Sequence, residues 1–141
     1  MKKMNQKFLV IVKPGFFESR FQIREMLLSE GFEIVAQKAT KFSEKIAKQF
    51  YSHLRDKPFF QEVIDYMTSD LVYTLVLRGD IEEARNFVGP TDPAECKPWQ
   101  LRAKNFGPAD KMRNVVHCSD SPESAEREIA LIDNLPELEC A

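Results

Sequence analysis

The chain has 141 residues, of which 43% are hydrophobic and 30% charged, and its formal net charge at pH 7 is −2. This length suits one domain, residues 1–141, and the balance of apolar and charged residues excludes a disordered tail or a membrane protein. Because the charge is slightly negative, no global positive field would hold the chain on nucleic acid or on an anionic membrane. Any anion-binding site must therefore be local.

The apolar run Phe8–Val12 is too short for a membrane span or for the core of a signal peptide. We therefore expect a cytoplasmic protein. The three cysteines, Cys96, Cys118 and Cys140, form no C-x-x-C pair. Free thiols are expected instead of a disulfide framework or a zinc site.

The hydrophobic period changes repeatedly along the chain, which predicts a mixed α/β protein. The continuous apolar run Phe8–Val12 predicts a central strand that is buried on both faces. After the breaker Lys13–Gly15, apolar residues at helical spacing predict a helix that ends near Gly31. Phe32–Ala36 then predicts a second strand.

The middle of the chain predicts three helices and a third strand. Ser43 is a suitable N-cap for a helix, and Lys57-Pro58 separates that helix from another beginning near Phe59. Leu71–Leu77 predicts the third strand, and Asp80 is a suitable N-cap for the short helix that follows it.

The last third begins with a stretch from Gly89 to Asp110 that is rich in proline and has no clear period, which predicts a long loop. Asn114–His117 predicts a short fourth strand, and Ser121 followed by Pro122 predicts the start of the last helix. The resulting order predicts a ferredoxin-like βαββαβ core, an α+β sandwich with a four-stranded antiparallel sheet and additional helices.

The stretch from Arg113 to Ile129, RNVVHCSDSPESAEREI, resembles the active-site signature of nucleoside diphosphate kinases, N-x-x-H-G/A-S-D-S. Further matches follow in the family's order, at Val12-Lys13-Pro14, Tyr51, Arg55–Phe60, Tyr66-Met67, Gly89, Thr91–Ala94, Lys97-Pro98 and Arg102. The resemblance covers the chain from Phe8 to about Ile132. It implies ping-pong transfer of the γ-phosphate from a nucleoside triphosphate such as ATP to a nucleoside diphosphate.

A histidine can carry a phosphoryl group because neutral imidazole, abundant near pH 7, is a nucleophile. A lone histidine after a strand is more often a structural residue, but here the resemblance implies that His117 is the covalent carrier. It also implies that Glu128 holds the ring in one tautomer, with Ser119 behind it. Lys13 completes the implied catalytic set.

The resemblance also implies a set of phosphate and ribose contacts, namely Lys13, Tyr51, Arg85, Thr91, Arg102 and Asn114. Taken singly, each is more often a surface residue. The implied cofactor is Mg²⁺, bridging the nucleotide phosphates, with Asp120 reaching it through water because this ion keeps much of its hydration.

Two apolar stripes share the helix that begins near Phe59. Phe60, Ile64 and Met67 are expected in the core, whereas Phe59 and Val63, also four apart, could form a wall for the base. Stacking on an aromatic ring discriminates poorly between bases. Burial of Phe59 in the core is the alternative. Lys111 and Met112 are candidates for the opposite wall.

Several positions depart from the family's pattern. Gly15 stands where the family has aspartate, and Cys118 stands where it has glycine or alanine. Cys118 could be a small substitute for alanine or, if a nearby cation lowers the pKa of its thiol, a redox brake or rival nucleophile. The segment Ala103–Lys111 is about two residues longer than usual, and the tail Asp133–Ala141 replaces an aromatic-rich one.

The resemblance implies a homo-oligomer that is at least a dimer, and it leaves the choice between dimer, tetramer and hexamer open. Two other functions stay open. A nucleotide-binding scaffold with weak or lost turnover is favoured by the altered loop at Gly15. An RNA-binding ferredoxin-like module is the less favoured of the two, because this sequence lacks the exposed aromatic motif and the basic face that such domains use.

Overall fold

The computed structural model describes residues 5–138. Four strands form one antiparallel sheet in the order β2-β3-β1-β4: β1 (Gln6–Val12), β2 (Glu33–Thr40), β3 (Val72–Gly79) and β4 (Val116–Cys118). The helices are α1 (Arg20–Ser29), α2 (Glu44–Phe50), α3 (Phe60–Met67), α4 (Ile81–Val88) and α5 (Pro122–Ile132). Element order and strand order confirm the predicted ferredoxin-like core with additional helices.

The central strand β1 divides the core into two layers. All five side chains of Phe8–Val12 are fully buried, as predicted for a strand covered on both faces. Phe8 and Val10 pack with residues of α1 and α4, whereas Leu9 and Ile11 pack with residues of α2 and α3. This alternation follows from the two-residue period of a strand.

Side-chain caps begin three of the helices where the sequence predicts them. Ser43 accepts a hydrogen bond from the backbone N of Ile46 at 3.2 Å. Asp80 caps α4 at 3.1 Å, and Ser121 caps α5 at 3.1 Å. Each cap satisfies a backbone N–H that has no partner inside its helix. Every helix in the described part of the chain is too short or too polar to cross a bilayer.

The long loop after α4 is anchored to the core. It contains two single 3₁₀ turns, Pro93–Glu95 and Leu101–Ala103, and Leu101 is fully buried. Gly89 opens the loop with a φ of +99°, and a Cβ at this position would lie 2.8 Å from the Cys96 sulfur. Glycine is therefore required there by both backbone conformation and space.

Every predicted strand differs from the observed one by one or more residues at an end, and two of these differences have a clear physical reason. Strand β2 runs to Thr40, four residues past the predicted end. The prediction stopped early because the second half of this edge strand is polar and lacks the apolar pattern that indicates a strand. Strand β4 begins at Val116 instead of Asn114, because Val115 has a φ of +78° and cannot continue a strand. Cys96 and Cys118 are free thiols, as predicted, and Cys140 lies outside the described residues.

Candidate active site

His117 lies in the middle of β4, a short strand at one edge of the sheet. Just before this strand the backbone N of Val116 donates to the carbonyl O of Asn114 at 3.0 Å across Val115, which makes a γ-turn. A β-branched residue with positive φ costs on the order of 1–3 kcal/mol and persists only where its surroundings hold it. Here the backbone N of Lys13 donates to the carbonyl O of Val115 at 2.9 Å.

The guanidinium of Arg102 holds both ends of this turn. Its three nitrogens donate to backbone carbonyls at 2.9, 2.8 and 2.8 Å, those of Asn114, Gly89 and Val116. Burial lowers the pKa of Arg102 to about 10, so the side chain is charged at neutral pH. The contacts tie the long loop to the turn that precedes His117.

The His117 ring is oriented by a buried carboxylate. Its Nε2 lies 2.9 Å from Oε1 of Glu128, which is 3% exposed. The same oxygen accepts a hydrogen bond from the Ser119 hydroxyl at 2.8 Å, and that hydroxyl accepts from the backbone N of Leu9 at 2.9 Å. The ring also makes an edge contact with Phe50 at 5.0 Å between centroids. These linked hydrogen bonds fix the Nε2 edge of the imidazole ring and leave the Nδ1 atom for another partner.

A cavity of about 790 Å³ opens beside His117. A volume of this size is typical of a small-molecule site. Every site residue predicted from the sequence lines it except Ser119, which lies behind Glu128: Lys13, Tyr51, Phe59, Val63, Arg85, Thr91, Arg102, Asn114, His117, Asp120 and Glu128. Residues far apart in the chain therefore meet at one cavity.

Lys13 follows β1 and is joined to the turn by its side chain. Its ammonium donates to the Asn114 side-chain oxygen at 2.7 Å and to the Met112 carbonyl O at 3.2 Å. The Asn114 amide nitrogen donates to the carbonyls of Thr91 and Lys111 at 3.0 and 3.1 Å. Asn114 is thus occupied in joining three segments of the cavity wall.

Burial, with the charge of Arg102 beside it, lowers the pKa of Lys13 to about 7. The ammonium is therefore only partly charged near neutral pH in the absence of an anion. An anion placed next to it would favour the charged form and raise its pKa.

Tyr51 carries a buried hydroxyl on the cavity wall. Among residues 5–138 this hydroxyl has no hydrogen-bond partner, although the side chain is only 7% exposed. Burial and the nearby Glu128 carboxylate raise the pKa of Tyr51, so it is a neutral donor. A buried donor without a partner costs free energy, which a ligand acceptor in the cavity would recover.

Arg85 and Asp120 lie at the cavity entrance. They are about half and two-thirds exposed, and the guanidinium lies 4.0 Å from the carboxylate. A hydrogen bond from Ser124 lowers the pKa of Asp120 against the effect of partial burial, and Arg85 lowers it further. The carboxylate is therefore ionised at neutral pH.

The apolar end of the cavity lies on α3. Phe59 immediately precedes this helix and is 42% exposed. The alternative prediction, that Phe59 is buried in the core, is therefore wrong. Val63, one turn on, is buried with its side chain on the cavity wall. Ile64 and Met67 are buried in the core, as expected, and Phe60 is half-buried against it.

Other residues complete the cavity wall. His53 and Arg127 were not predicted as site residues, whereas Lys111 and Met112 were candidates for the wall opposite Phe59. The Arg127 guanidinium lies 4.0 Å from the second Glu128 oxygen. Arg127 lies in α5, four residues before Leu131, and this position does not indicate that its side chain lines a cavity. A charged residue on a helix usually faces solvent.

Cys118 is half-buried and packs against the core layer of α1 and α4. Burial raises the pKa of its thiol to about 12, and Arg85 and Arg102 offset this only in part. The expectation that a nearby cation would lower the pKa, and so favour a redox brake or a rival nucleophile, is therefore wrong. The remaining interpretation is steric substitution for alanine.

We expect Cys118→Ala to retain phosphoryl transfer within about twofold, because a thiol that stays protonated adds nothing to the reaction. The variant should lose on the order of 1 kcal/mol of unfolding free energy through lost packing. Single-turnover labelling and urea unfolding measure the two quantities. A large loss of labelling in a fully folded variant would show that the sulfur takes part in the reaction.

The sheet is ferredoxin-like, and it presents a histidine held by a carboxylate to a cavity lined by cationic side chains. This arrangement is typical of the class of proteins that hold a histidine nucleophile next to a polyanionic ligand. The profile of the family described as nucleoside diphosphate kinase matches residues 6–136. The chain belongs to the nucleoside diphosphate kinase family, which confirms the predicted resemblance.

Individual relatives agree with this assignment. A nucleoside diphosphate kinase from Aquifex aeolicus is 41% identical over 134 residues, covering 90% of this chain and 93% of the relative. A crystal structure of the Aquifex aeolicus nucleoside diphosphate kinase has a TM-score of 0.85 at 41% identity, covering 91% of this chain and 94% of the other. A halophilic nucleoside diphosphate kinase from Halobacterium salinarum, solved in complex with CDP, has a TM-score of 0.83 at 29% identity and covers 96% and 94%.

Proposed function

We propose that the chain transfers the γ-phosphate of a nucleoside triphosphate to a nucleoside diphosphate, with His117 Nδ1 as the carrier. The observation that carries this proposal is the 2.9 Å contact between Nε2 and Glu128. Because a carboxylate accepts, Nε2 holds the proton of the neutral ring, and the free electron pair lies on Nδ1. Nδ1 is then the nucleophile.

In the first half-reaction the Nδ1 electron pair attacks the γ-phosphorus. The N–P bond forms, the bond to the β,γ-bridging oxygen breaks, and the diphosphate leaves with that electron pair. The ring becomes positively charged, and Glu128 stabilises it through the Nε2–H hydrogen bond. In the second half-reaction a terminal oxygen of the acceptor diphosphate attacks the phosphorus, and the N–P bond returns its electrons to Nδ1.

The phosphates need neutralisation of negative charge and a fixed position. Lys13, Arg85 and Arg102 supply positive charge on the cavity wall, and the Tyr51 hydroxyl supplies a donor that lacks a partner in residues 5–138. Thr91 offers a further hydroxyl. Because the Asn114 side chain is already bonded to Lys13, Thr91 and Lys111, we propose that it positions these groups and contacts ribose only secondarily.

The protonation of Lys13 gives a pH-dependent prediction. With a pKa of about 7 the side chain is charged below pH 7 and largely neutral at pH 8, whereas bound phosphate favours the charged form. Lys13 should therefore take up close to one proton on ADP binding at pH 8 and almost none at pH 6. Affinity should fall by up to about tenfold per pH unit above pH 7.

Calorimetry of ADP binding in buffers of different ionisation enthalpy measures this uptake. Lys13→Met is the matched variant, because it keeps the unbranched side chain and has no titrating group. The same proton uptake in Lys13→Met at pH 8 would assign it to another group.

Mg²⁺ is the divalent ion we propose for the reaction, with Asp120 as its protein contact. The residues fit it: Asp120 is an exposed, ionised carboxylate at the cavity entrance. Within residues 5–138 no group of three or more His, Cys, Asp or Glu side chains could hold a metal by itself. A single carboxylate with nucleotide phosphates and water is an ordinary Mg²⁺ environment. When bound, the ion offsets phosphate charge.

The proposed ligands are nucleoside di- and triphosphates, with the base between Phe59 and Val63 on one side and the turn of Lys111 and Met112 on the other. The Halobacterium relative was solved in complex with CDP, which supports a nucleotide as the ligand of this chain. We further propose one domain over residues 1–141, since the described strands join one sheet. A homo-oligomer and a cytoplasmic location stay predictions.

The test is phosphoryl uptake by the purified chain. Incubation with [γ-³²P]ATP and Mg²⁺ should label the protein through an acid-labile, alkali-stable bond, and GDP should then remove the label as GTP. Nucleotide binding without labelling would favour the scaffold with lost turnover.

A further inference from the structure

The turn between Asp110 and Asn114 fixes the backbone of Lys111 on the cavity wall. One Asp110 carboxylate oxygen accepts hydrogen bonds from the backbone N of Met112 at 2.9 Å and of Arg113 at 2.7 Å. The Lys111 carbonyl accepts from the Asn114 amide at 3.1 Å. Lys111 therefore projects from a tightly bonded turn, and its main chain is joined to the centre of the site.

This turn lies along α3, the helix that carries the proposed base wall. The guanidinium of Arg113 lies 5.1 Å from the ring centroid of Tyr66, and Met112 packs against the cluster that contains Val63. Lys111 lines the same cavity as Phe59 and Val63. Lys111 therefore borders the part of the cavity that holds the proposed base site, and its flexible side chain can reach the edge of a bound base.

The Lys111 charge is available to a ligand. The side chain is exposed, and it forms no ion pair with any residue in the range 5–138. The adjacent carboxylate, Asp110, is paired with Arg113 at 3.4 Å. A cation on an otherwise apolar wall can bind an acceptor atom on the edge of a stacked base.

We propose that Lys111 makes the site prefer bases with a keto oxygen at the 6 position of a purine or the 4 position of a pyrimidine. This inference rests on the proposed function. Guanine offers O6 and N7 as adjacent acceptors, a pair that lysine commonly contacts, and uracil and thymine offer O4. Adenine and cytosine place an amino donor at the corresponding position, which an ammonium cannot bind, so adenine keeps only N7 of the guanine pair.

The expected preference is modest, because the Lys111 ammonium is exposed and must give up hydration to bind. One charge-assisted hydrogen bond at such a site should favour GDP over ADP by roughly three- to tenfold. This bias lies inside the one to two orders of magnitude that an aromatic, largely apolar base site should allow among all nucleotides.

The first test uses the second half-reaction alone. Phosphorylated enzyme is mixed with GDP, UDP, ADP or CDP, and the loss of label is followed at limiting nucleotide. The wild type should react three- to tenfold faster with GDP than with ADP, and with UDP than with CDP. Lys111→Met should bring both ratios close to one mainly by slowing GDP and UDP, and Lys111→Arg should keep the preference.

Lys104→Met is the matched control, since Lys104 is exposed in the same loop and does not line the cavity. It should behave as the wild type. Equal slowing of all four nucleotides in Lys111→Met would place the ammonium on phosphate and overturn the proposal. Wild-type ratios unaltered by the substitution would overturn it as well.

A second measurement separates this inference from the proposed function. Calorimetry gives the dissociation constants of GDP and ADP without phosphoryl transfer, and their ratio should fall towards one in Lys111→Met. A chain that binds GDP preferentially through Lys111 but takes up no phosphate would overturn the proposed function alone. A chain that forms phosphohistidine but binds GDP and ADP equally would overturn the role of Lys111 alone.

Discussion

We expect His117→Asn to abolish both half-reactions while nucleotide binding survives. Asparagine keeps a polar side chain in the place of the ring but offers no nucleophilic electron pair, so the N–P bond cannot form. The rate of labelling from [γ-³²P]ATP should fall by about 10⁴-fold or more, the order seen when a covalent nucleophile is removed. The dissociation constant of ADP, measured by calorimetry, should change by less than about tenfold.

The chain offers a matched control for this experiment. His53 is the other of its two histidines and lines the same cavity. His53→Asn should retain the acid-labile label, because the Glu128 carboxylate holds His117 and not His53. Label that persists in His117→Asn and disappears in His53→Asn would reassign the carrier. Label in both variants would mean that histidine is not the carrier.

Local signals in the sequence predicted most of the fold. Ser43, Asp80 and Ser121 were predicted as helix caps because a cap depends only on residues three positions ahead, and all three caps are present. The strand Phe8–Val12 was predicted by its unbroken apolar run. The end of β2 was missed because the burial of an edge strand depends on its neighbours and not on its own pattern.

The residues of the site were predicted by resemblance. Their contacts and backbone conformation were not predicted, because these depend on segments that are far apart in the chain. Nothing in the sequence indicates that Arg102 bonds three backbone carbonyls, or that Val115 has a positive φ. The alternative prediction, that a nearby cation lowers the pKa of the Cys118 thiol, was wrong. Proximity in the sequence to a cationic site does not indicate how deeply the thiol is buried. Such properties depend on packing between segments that are distant in the chain.

The three carbonyl contacts of Arg102 lead to the second large effect, that of Arg102→Lys. A lysine keeps the positive charge for phosphate, but its single ammonium cannot bond at once to the Gly89, Asn114 and Val116 carbonyls, which the planar guanidinium reaches with three nitrogens. Two of the three hydrogen bonds would then be lost, and the turn at Val115 would lose at least one of its constraints.

We therefore expect Arg102→Lys to lower both activity and stability. The single-turnover labelling rate should fall about 10²-fold, because a displaced turn moves His117 away from the position for attack. The free energy of unfolding, from urea titration, should fall by about 2–4 kcal/mol for two lost charge-assisted hydrogen bonds to buried carbonyls.

Arg85→Lys is the matched control for the stability effect. Arg85 carries the same charge on the same cavity, but it is half-exposed and its ion pair with Asp120 spans 4.0 Å. Its replacement should reduce labelling while changing the unfolding free energy by less than about 0.5 kcal/mol, since exposed ion pairs contribute little. If Arg102→Lys were as stable as Arg85→Lys and lost only nucleotide affinity, Arg102 would act on phosphate alone, and the γ-turn before His117 would be held by the Lys13 backbone contact without it.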